Sequence, residues 1–247
     1  RKPMDEYVEG VIESGVNIVF TSGNSPAKFM NPLKKAGVKV VHVVPSVRFA
    51  RKAEELGCDA VVIVGYECGG HPGADEVTSM VKIPQVVESV NIPVIAAGGF
   101  NDGRGLIAAL SLGAQGIQMG TRFVMSQESP LPENIKETLT NANITDTLVI
   151  KRSINKPNRV YKNKAALKVL ELEDQNAKIE ELLPIIGGEA YKVLIGEGDI
   201  NAGVLSIGQV IGRINQYPSV QEIIDGIIIE AESVIKKMNQ FWQPVGH

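Results

Sequence analysis

Pro93-Val94-Ile95-Ala96-Ala97-Gly98-Gly99-Phe100-Asn101-Asp102-Gly103 reads as a strand that ends in two glycines and turns into a helix. The apolar run is short and continuous, as in a parallel strand covered on both faces. Asn101 or Asp102 can cap a helix running to Leu112, which Gly113 ends. Runs of the same character lie at residues 16–20, 38–43, 60–64 and 116–119. Between them, residues 5–14 carry acids in their first turn and stop at Gly15, and Ser46 can cap residues 47–56, which stop at Gly57. Strand starts at 16, 38, 60, 93 and 116 give steps of 22, 22, 33 and 23. One strand–loop–helix–loop unit takes about 20–25 residues. The pattern is therefore a regular βα array with one enlarged unit, which implies a parallel sheet with right-handed crossovers. A doubly wound open sheet and a barrel both satisfy it.

After residue 125 the rhythm changes. Residues 133–141, 164–172 and 180–183 look helical between irregular polar stretches, and stronger helices are expected at 204–214 and 219–237. We read 1–125 as the βα array (barrel strands four to eight with their helices, where the sheet closes into a barrel), 126–200 as an inserted helical lid, and 201–247 as closing helices. The basic stretch from Lys151 to Lys164 reads as a solvated loop.

Composition narrows the function. A net charge of −3 with interspersed signs argues against a nucleic-acid partner, which needs a concentrated basic surface. Cys58 and Cys68 are too few for a disulfide framework and fit no zinc spacing. No apolar run is long enough to span a bilayer and no signal peptide is visible, so a reduced, cytoplasmic setting is expected. The first residue is Arg1, so a processed or truncated chain is expected.

In a parallel βα array, ligands bind at the C-terminal ends of the strands. The enlarged loop there is Gly65-Tyr66-Glu67-Cys68-Gly69-Gly70-His71-Pro72-Gly73. Its glycines, Gly69 and Gly70 among them, let backbone approach a ligand, and His71 is a natural proton handler near neutrality. Ala97, Gly98 and Gly99 end the next strand, where backbone N–H groups and a helix dipole can form an anion site. Met119-Gly120-Thr121-Arg122-Phe123 ends the strand after that, and Gly120 and Thr121 offer two N–H groups and a hydroxyl. Together the two strand ends point to a phosphate-bearing cofactor. His42 is either a hydrogen-bonded core residue or pocket-lining, and Thr21-Ser22-Gly23 ends a strand. The small residues of Ser206-Ile207-Gly208-Gln209-Val210-Ile211-Gly212 suggest close packing. Cys68 as a nucleophile is weaker, and no metal-ligand cluster or Ser–His–Asp pattern is visible.

These three loops, in this order and spacing, resemble those of the nitronate monooxygenase (2-nitropropane dioxygenase) family. The resemblance extends over nearly the whole chain. It implies a (β/α)8 TIM barrel, lacking its first strands in this chain, that holds FMN. The phosphate would rest on Gly98, Gly99, Gly120 and Thr121, with Ala97, Gly69 and Gly70 also near the cofactor and His71 near the flavin ring. The implied reaction is oxidation of a nitronate by O2 to a carbonyl compound and nitrite. Flavin-dependent enoyl-ACP reductases share nearly the same loops, and Val43-Val44-Pro45-Ser46-Val47 is more like theirs. Gly70-His71-Pro72-Gly73 and Pro157-Asn158-Arg159-Val160-Tyr161-Lys162-Asn163 are more like the nitronate enzymes. The expected partners are a small-molecule substrate, nitronate or enoyl thioester, with O2 or NAD(P)H; a homodimer is open. A general NAD(P)H-flavin oxidoreductase and a non-catalytic ligand-binding βα scaffold are the other readings.

Overall fold

The computed structural model describes residues 4–241, and the chain divides into two compact units. The first takes the residues up to Gly65 with Val77–Ala97 and Ala109–Gln118, and it holds the parallel sheet. Its strands are β1 (Ile18–Thr21), β2 (Lys39–Val44), β3 (Ala60–Val64), β4 (Val94–Ala97) and β5 (Gly116–Gln118), ordered in space as in sequence. Every pairing is parallel, with Thr21 opposite His42, Val43 opposite Val62 and Val64 opposite Ala97. The helices α1 (Met4–Glu13), α2 (Ala27–Lys35), α3 (Val47–Glu55), α4 (Ser79–Val87) and α5 (Gly103–Ser111) alternate with the strands. All five expected strands are present.

The central strands are sealed: Val40, Val44, Val61, Val62 and Ile63 have no exposed surface. Each such side chain removed from water stabilises by about 1.5–3 kcal/mol. The edge strand differs. Ile18 and Phe20 on β1 are 53% and 55% exposed, and Phe20 lines an apolar groove of about 950 Å3 with Tyr7, Val11 and Phe29. Ser46 takes the N-cap position of α3 as expected, but its hydroxyl makes no capping bond; its carbonyl accepts from Phe49 and Ala50 instead. Lys82 on α4 is buried, and its ammonium donates to the carbonyls of Pro45 (2.9 Å) and Val64 (3.3 Å).

The second unit takes Tyr66–Glu76, Gly98–Ala108 and the chain from Met119 onward, so the loops after β3, β4 and β5 belong to it. It contains α6 (Thr121–Val124), α7 (Glu133–Thr140), an antiparallel hairpin of β6 (Thr147–Ile150) and β7 (Asn158–Tyr161), α8 (Lys164–Asp174), α9 (Ile179–Ile186), α10 (Gly188–Glu197) and α11 (Val220–Phe241). One core gathers Met125, Ile135, Leu139, Leu194, Ile207 and Ile211; a second gathers Ile150, Val160, Ala166, Val169 and Leu182. Lys136 is buried and donates to the carbonyls of Ser126 (2.7 Å), Gln127 (3.2 Å) and Ser129 (2.8 Å).

Two secondary-structure expectations fail in this unit. The stretch from Lys151 to Lys164 is not simply a solvated loop: it contains β7, in which Asn158, Arg159 and Val160 are buried. Val160 packs in the second core, and the charge of Arg159 is met by a carbonyl and an aromatic face. Residues 204–214 do not form a helix; only Gln209–Arg213 makes a 3-10 turn. Backbone contact explains the difference. A Cβ at Gly208 would lie 2.9 Å from Glu67 O, and one at Gly212 only 2.1 Å from Ile144 N. The backbone of this stretch also bonds to other segments in place of helical partners: Leu205 O accepts from Tyr161 N–H at 2.8 Å and Gln209 N–H donates to Glu67 O at 3.0 Å.

Candidate functional site

The glycine–histidine loop is braced by the hairpin. Gly70 and Arg159 exchange backbone hydrogen bonds, N–H of Gly70 to O of Arg159 at 3.0 Å and the reverse at 2.6 Å. The Arg159 guanidinium donates from Nε and Nη2 to Tyr66 O at 3.2 and 3.1 Å, and from Nη1 to Thr147 Oγ1 at 3.1 Å. It also stacks 4.7 Å from the centroid of the Tyr66 ring. At the other end of that ring, Arg152 donates to the Tyr66 hydroxyl at 2.7 Å and pairs with Glu76. The segment from Tyr66 to Gly70 is thus clamped by two arginines, which fixes where His71 leaves it.

His71 is exposed, and its Nε2 lies 3.3 Å from the ammonium of Lys151. Desolvation of the ring, then the charges of Lys151 and Lys156, hold its pKa below the ordinary imidazole value. It is therefore neutral near pH 7.

Gly69 has a packing reason to be glycine: its Cβ would meet the backbone of Ile207 and Gly208 at 2.7 Å. Gly208 N–H in turn donates to Thr121 Oγ1 at 2.9 Å. Residues 207–208 therefore tie the histidine loop to the strand end after β5. The Thr121 hydroxyl, expected to be offered to a ligand, accepts this bond and is buried.

Gly98 and Gly99 both adopt left-handed φ, 97° and 85°, which a side chain would strain. A Cβ at Gly99 would lie 3.4 Å from the Glu67 side chain, so this turn adjoins the histidine loop. The helix behind it is not an open anion site. Gly103 N–H donates to Glu230 at 2.8 Å and Gly105 N–H to Asp102 at 2.8 Å, so carboxylates already close the amino end of α5. Burial alone would raise the Asp102 carboxyl, but the Gly105 N–H, Arg213 and Arg104 outweigh it and keep it low and charged. Among the described residues, the N–H groups of Gly99, Gly120 and Thr121 donate to no protein acceptor. A Cβ at Gly120 would meet nothing within 4 Å. That leaves free donors at the strand ends where the sequence expected a phosphate, with open space beside Gly120.

Residues 2–230 match the family described as nitronate monooxygenase. A probable nitronate monooxygenase of Staphylococcus saprophyticus is 32% identical over 249 residues, which cover 96% of this chain and 69% of that protein. The chain belongs to the nitronate monooxygenase family. A (3aS,4S,5R,7aS)-5-hydroxy-7a-methyl-1-oxo-octahydro-1H-indene-4-carboxyl-CoA dehydrogenase of Rhodococcus jostii is 33% identical over 235 residues, covering 81% of this chain and 66% of that protein. FabK from Thermotoga maritima is 39% identical with a TM-score of 0.87, covering 96% of this chain and 75% of that one. The chain thus spans about two thirds to three quarters of the length of these relatives. Family membership makes it an oxidoreductase of the (β/α)8-barrel class, in which this chain supplies a run of five parallel strands.

The other candidates of this nitronate monooxygenase family chain are placed as follows. Ala97 is buried, and its carbonyl accepts from Gly65 N–H at 2.9 Å. His42 is a buried, hydrogen-bonded residue of β2, with Nδ1 2.8 Å from Thr21 Oγ1; burial lowers its pKa, against a smaller raising effect of Thr21. Neither cysteine is in a disulfide, and among the described residues no group of His, Cys, Asp and Glu could hold a metal ion. No described helix is long and apolar enough to cross a membrane. Composition draws attention to Lys151 and Arg152 only as the start of a basic stretch read as solvated loop, and gives neither Glu67 nor Arg159 a role. Pro157–Asn163 in the resemblance contains Arg159 without saying what it touches.

Proposed function

We propose that this chain binds FMN and oxidises nitronates with O2, two nitronates and one O2 giving two carbonyl compounds and two nitrites. The observation that carries the reading is the neutral His71 beside the Lys151 ammonium, on a glycine loop braced by Arg159: a donor and a cation suited to an anionic substrate. The residues also fit the cofactor. Free N–H groups at Gly99, Gly120 and Thr121, with room beside Gly120, would hold the phosphate. Bound there, FMN would supply the electron transfer from nitronate to O2. His71 would hold the nitro group, and the clamped Tyr66–Gly70 segment would keep that ring in place.

A second reading, NAD(P)H-dependent reduction of an enoyl thioester, is favoured by the Rhodococcus relative, whose name makes a CoA thioester its substrate. Side-by-side turnover of a nitronate, read as nitrite release, and of an enoyl thioester with NAD(P)H separates the two. The cofactor site is tested at Gly120, whose φ of −101° accepts a side chain; Gly99 does not. Purified wild-type protein should be yellow. Gly120→Leu should stay folded by circular dichroism and bind FMN at least about tenfold more weakly. Undiminished flavin occupancy in that variant removes the phosphate assignment.

A further inference from the structure

Lys151 follows β6 and has φ 63°, a conformation that side-chain-bearing residues rarely adopt. The fold holds it there deliberately tightly. Its N–H donates to Glu173 Oε2 at 2.7 Å, and Ser153 donates to Glu173 Oε1 from N at 2.9 Å and from Oγ at 2.6 Å. Lys156 N–H closes the turn on Lys151 O at 3.1 Å. Of the cations on this turn, Arg152 is engaged by Glu76 and Tyr66. The Lys151 ammonium pairs with no carboxylate among the described residues; its side-chain partner is His71 Nε2, at 3.3 Å. An ammonium has donors only, so Nε2 must accept, and the proton of the neutral ring must sit on Nδ1.

We propose that Lys151 is a positioning residue: by donating to Nε2 it holds His71 as the Nδ1–H tautomer, so that the ring offers a donor, with a cation behind it, to an anionic substrate oxygen. The consequence for substrate rests on the nitronate reading above; the tautomer does not. In this state His71 binds a preformed nitronate and is not the base that deprotonates a neutral nitroalkane. The charges around the ring are Lys151 and Lys156 from the turn, Arg152 paired with Glu76, Arg159 turned to Tyr66 O, Glu173 from α8, and Glu67 and Asp75 on the ring's own loop. Loss of Lys151 therefore removes a like charge and leaves Lys156.

The test is nitrogen NMR of histidine-labelled protein, which has three histidines to resolve. Wild-type His71 should be mainly Nδ1–H above its titration. Lys151→Gly, which also relieves the left-handed strain and so does not endanger the fold, should convert it to the Nε2–H form usual for free imidazole and move its titration upward. Lys151→Arg should keep the wild-type tautomer. With a nitronate, Lys151→Gly should raise KM about tenfold and leave kcat within about threefold. An identical tautomer in wild type and Lys151→Gly, or Nε2–H in the wild type, overturns the proposal. Absence of nitrite release from the wild type would instead remove the nitronate reading, and the tautomer measurement would still decide the role of Lys151.

Discussion

Replacing Arg159 by lysine tests whether the hairpin holds the site loop. The guanidinium makes two bonds to Tyr66 O and one to Thr147 Oγ1, and stacks on the Tyr66 ring, with the residue only 4% exposed. A lysine ammonium on a similar stem reaches one of these acceptors and loses the planar stack. A hydrogen bond to a charged group contributes about 1.5–3 kcal/mol net, and the cation–π contact about 0.5–2 kcal/mol. The two bonds to Tyr66 O share one acceptor, so the net loss is about 2–4 kcal/mol. Against a total stability of about 5–15 kcal/mol, that is a large fraction. Urea unfolding should show a lower midpoint at unchanged slope. Amide exchange at Gly70, whose N–H bonds Arg159 O, should accelerate more than exchange in β3. If Arg159→Lys lies within about 0.5 kcal/mol of wild type and Gly70 exchange is unchanged, the guanidinium does not brace the loop.

Gly212→Ala should destabilise severely, by roughly 3 kcal/mol or more, because its Cβ would meet Ile144 N at 2.1 Å. Gly226→Ala, in α11 with nothing within 4 Å, should instead stabilise by about 0.5–1 kcal/mol; equal melting temperatures for the two variants would refute the contact argument. His42 has a lowered folded pKa, so the unfolded chain takes up its proton first as pH falls below about 6.5. Its share of stability is complete above that pH and is lost as pH falls toward the folded value. His42→Leu should flatten the fall in urea midpoint between neutral and mildly acid pH, and an unchanged slope would show that His42 does not contribute.

The βα array was legible in the sequence because parallel strands sealed on both faces write themselves as short continuous apolar runs, and helix stops as glycines. All five strands of the sheet were found this way, as were α1, α3 and α5. The three strand-end loops were legible for the same reason: glycine and histidine stand out against an apolar background. Local pattern misled where partners are distant in sequence. Residues 204–214 have helix-compatible composition, but Gly208 and Gly212 answer to the backbones of Glu67, Gly69 and Ile144. Arg159 looks like a surface cation until the hairpin folds it onto Tyr66, 93 residues away. Likewise the amino end of α5 reads as an open anion site, and only tertiary structure brings Glu230 to close it. Periodicity and turn chemistry act over a few residues, so the sequence by itself determined the repeating unit and where its loops fall. Which charges are neutralised, which donors stay free and which nitrogen of His71 carries its proton depend on residues that only the tertiary structure brings together.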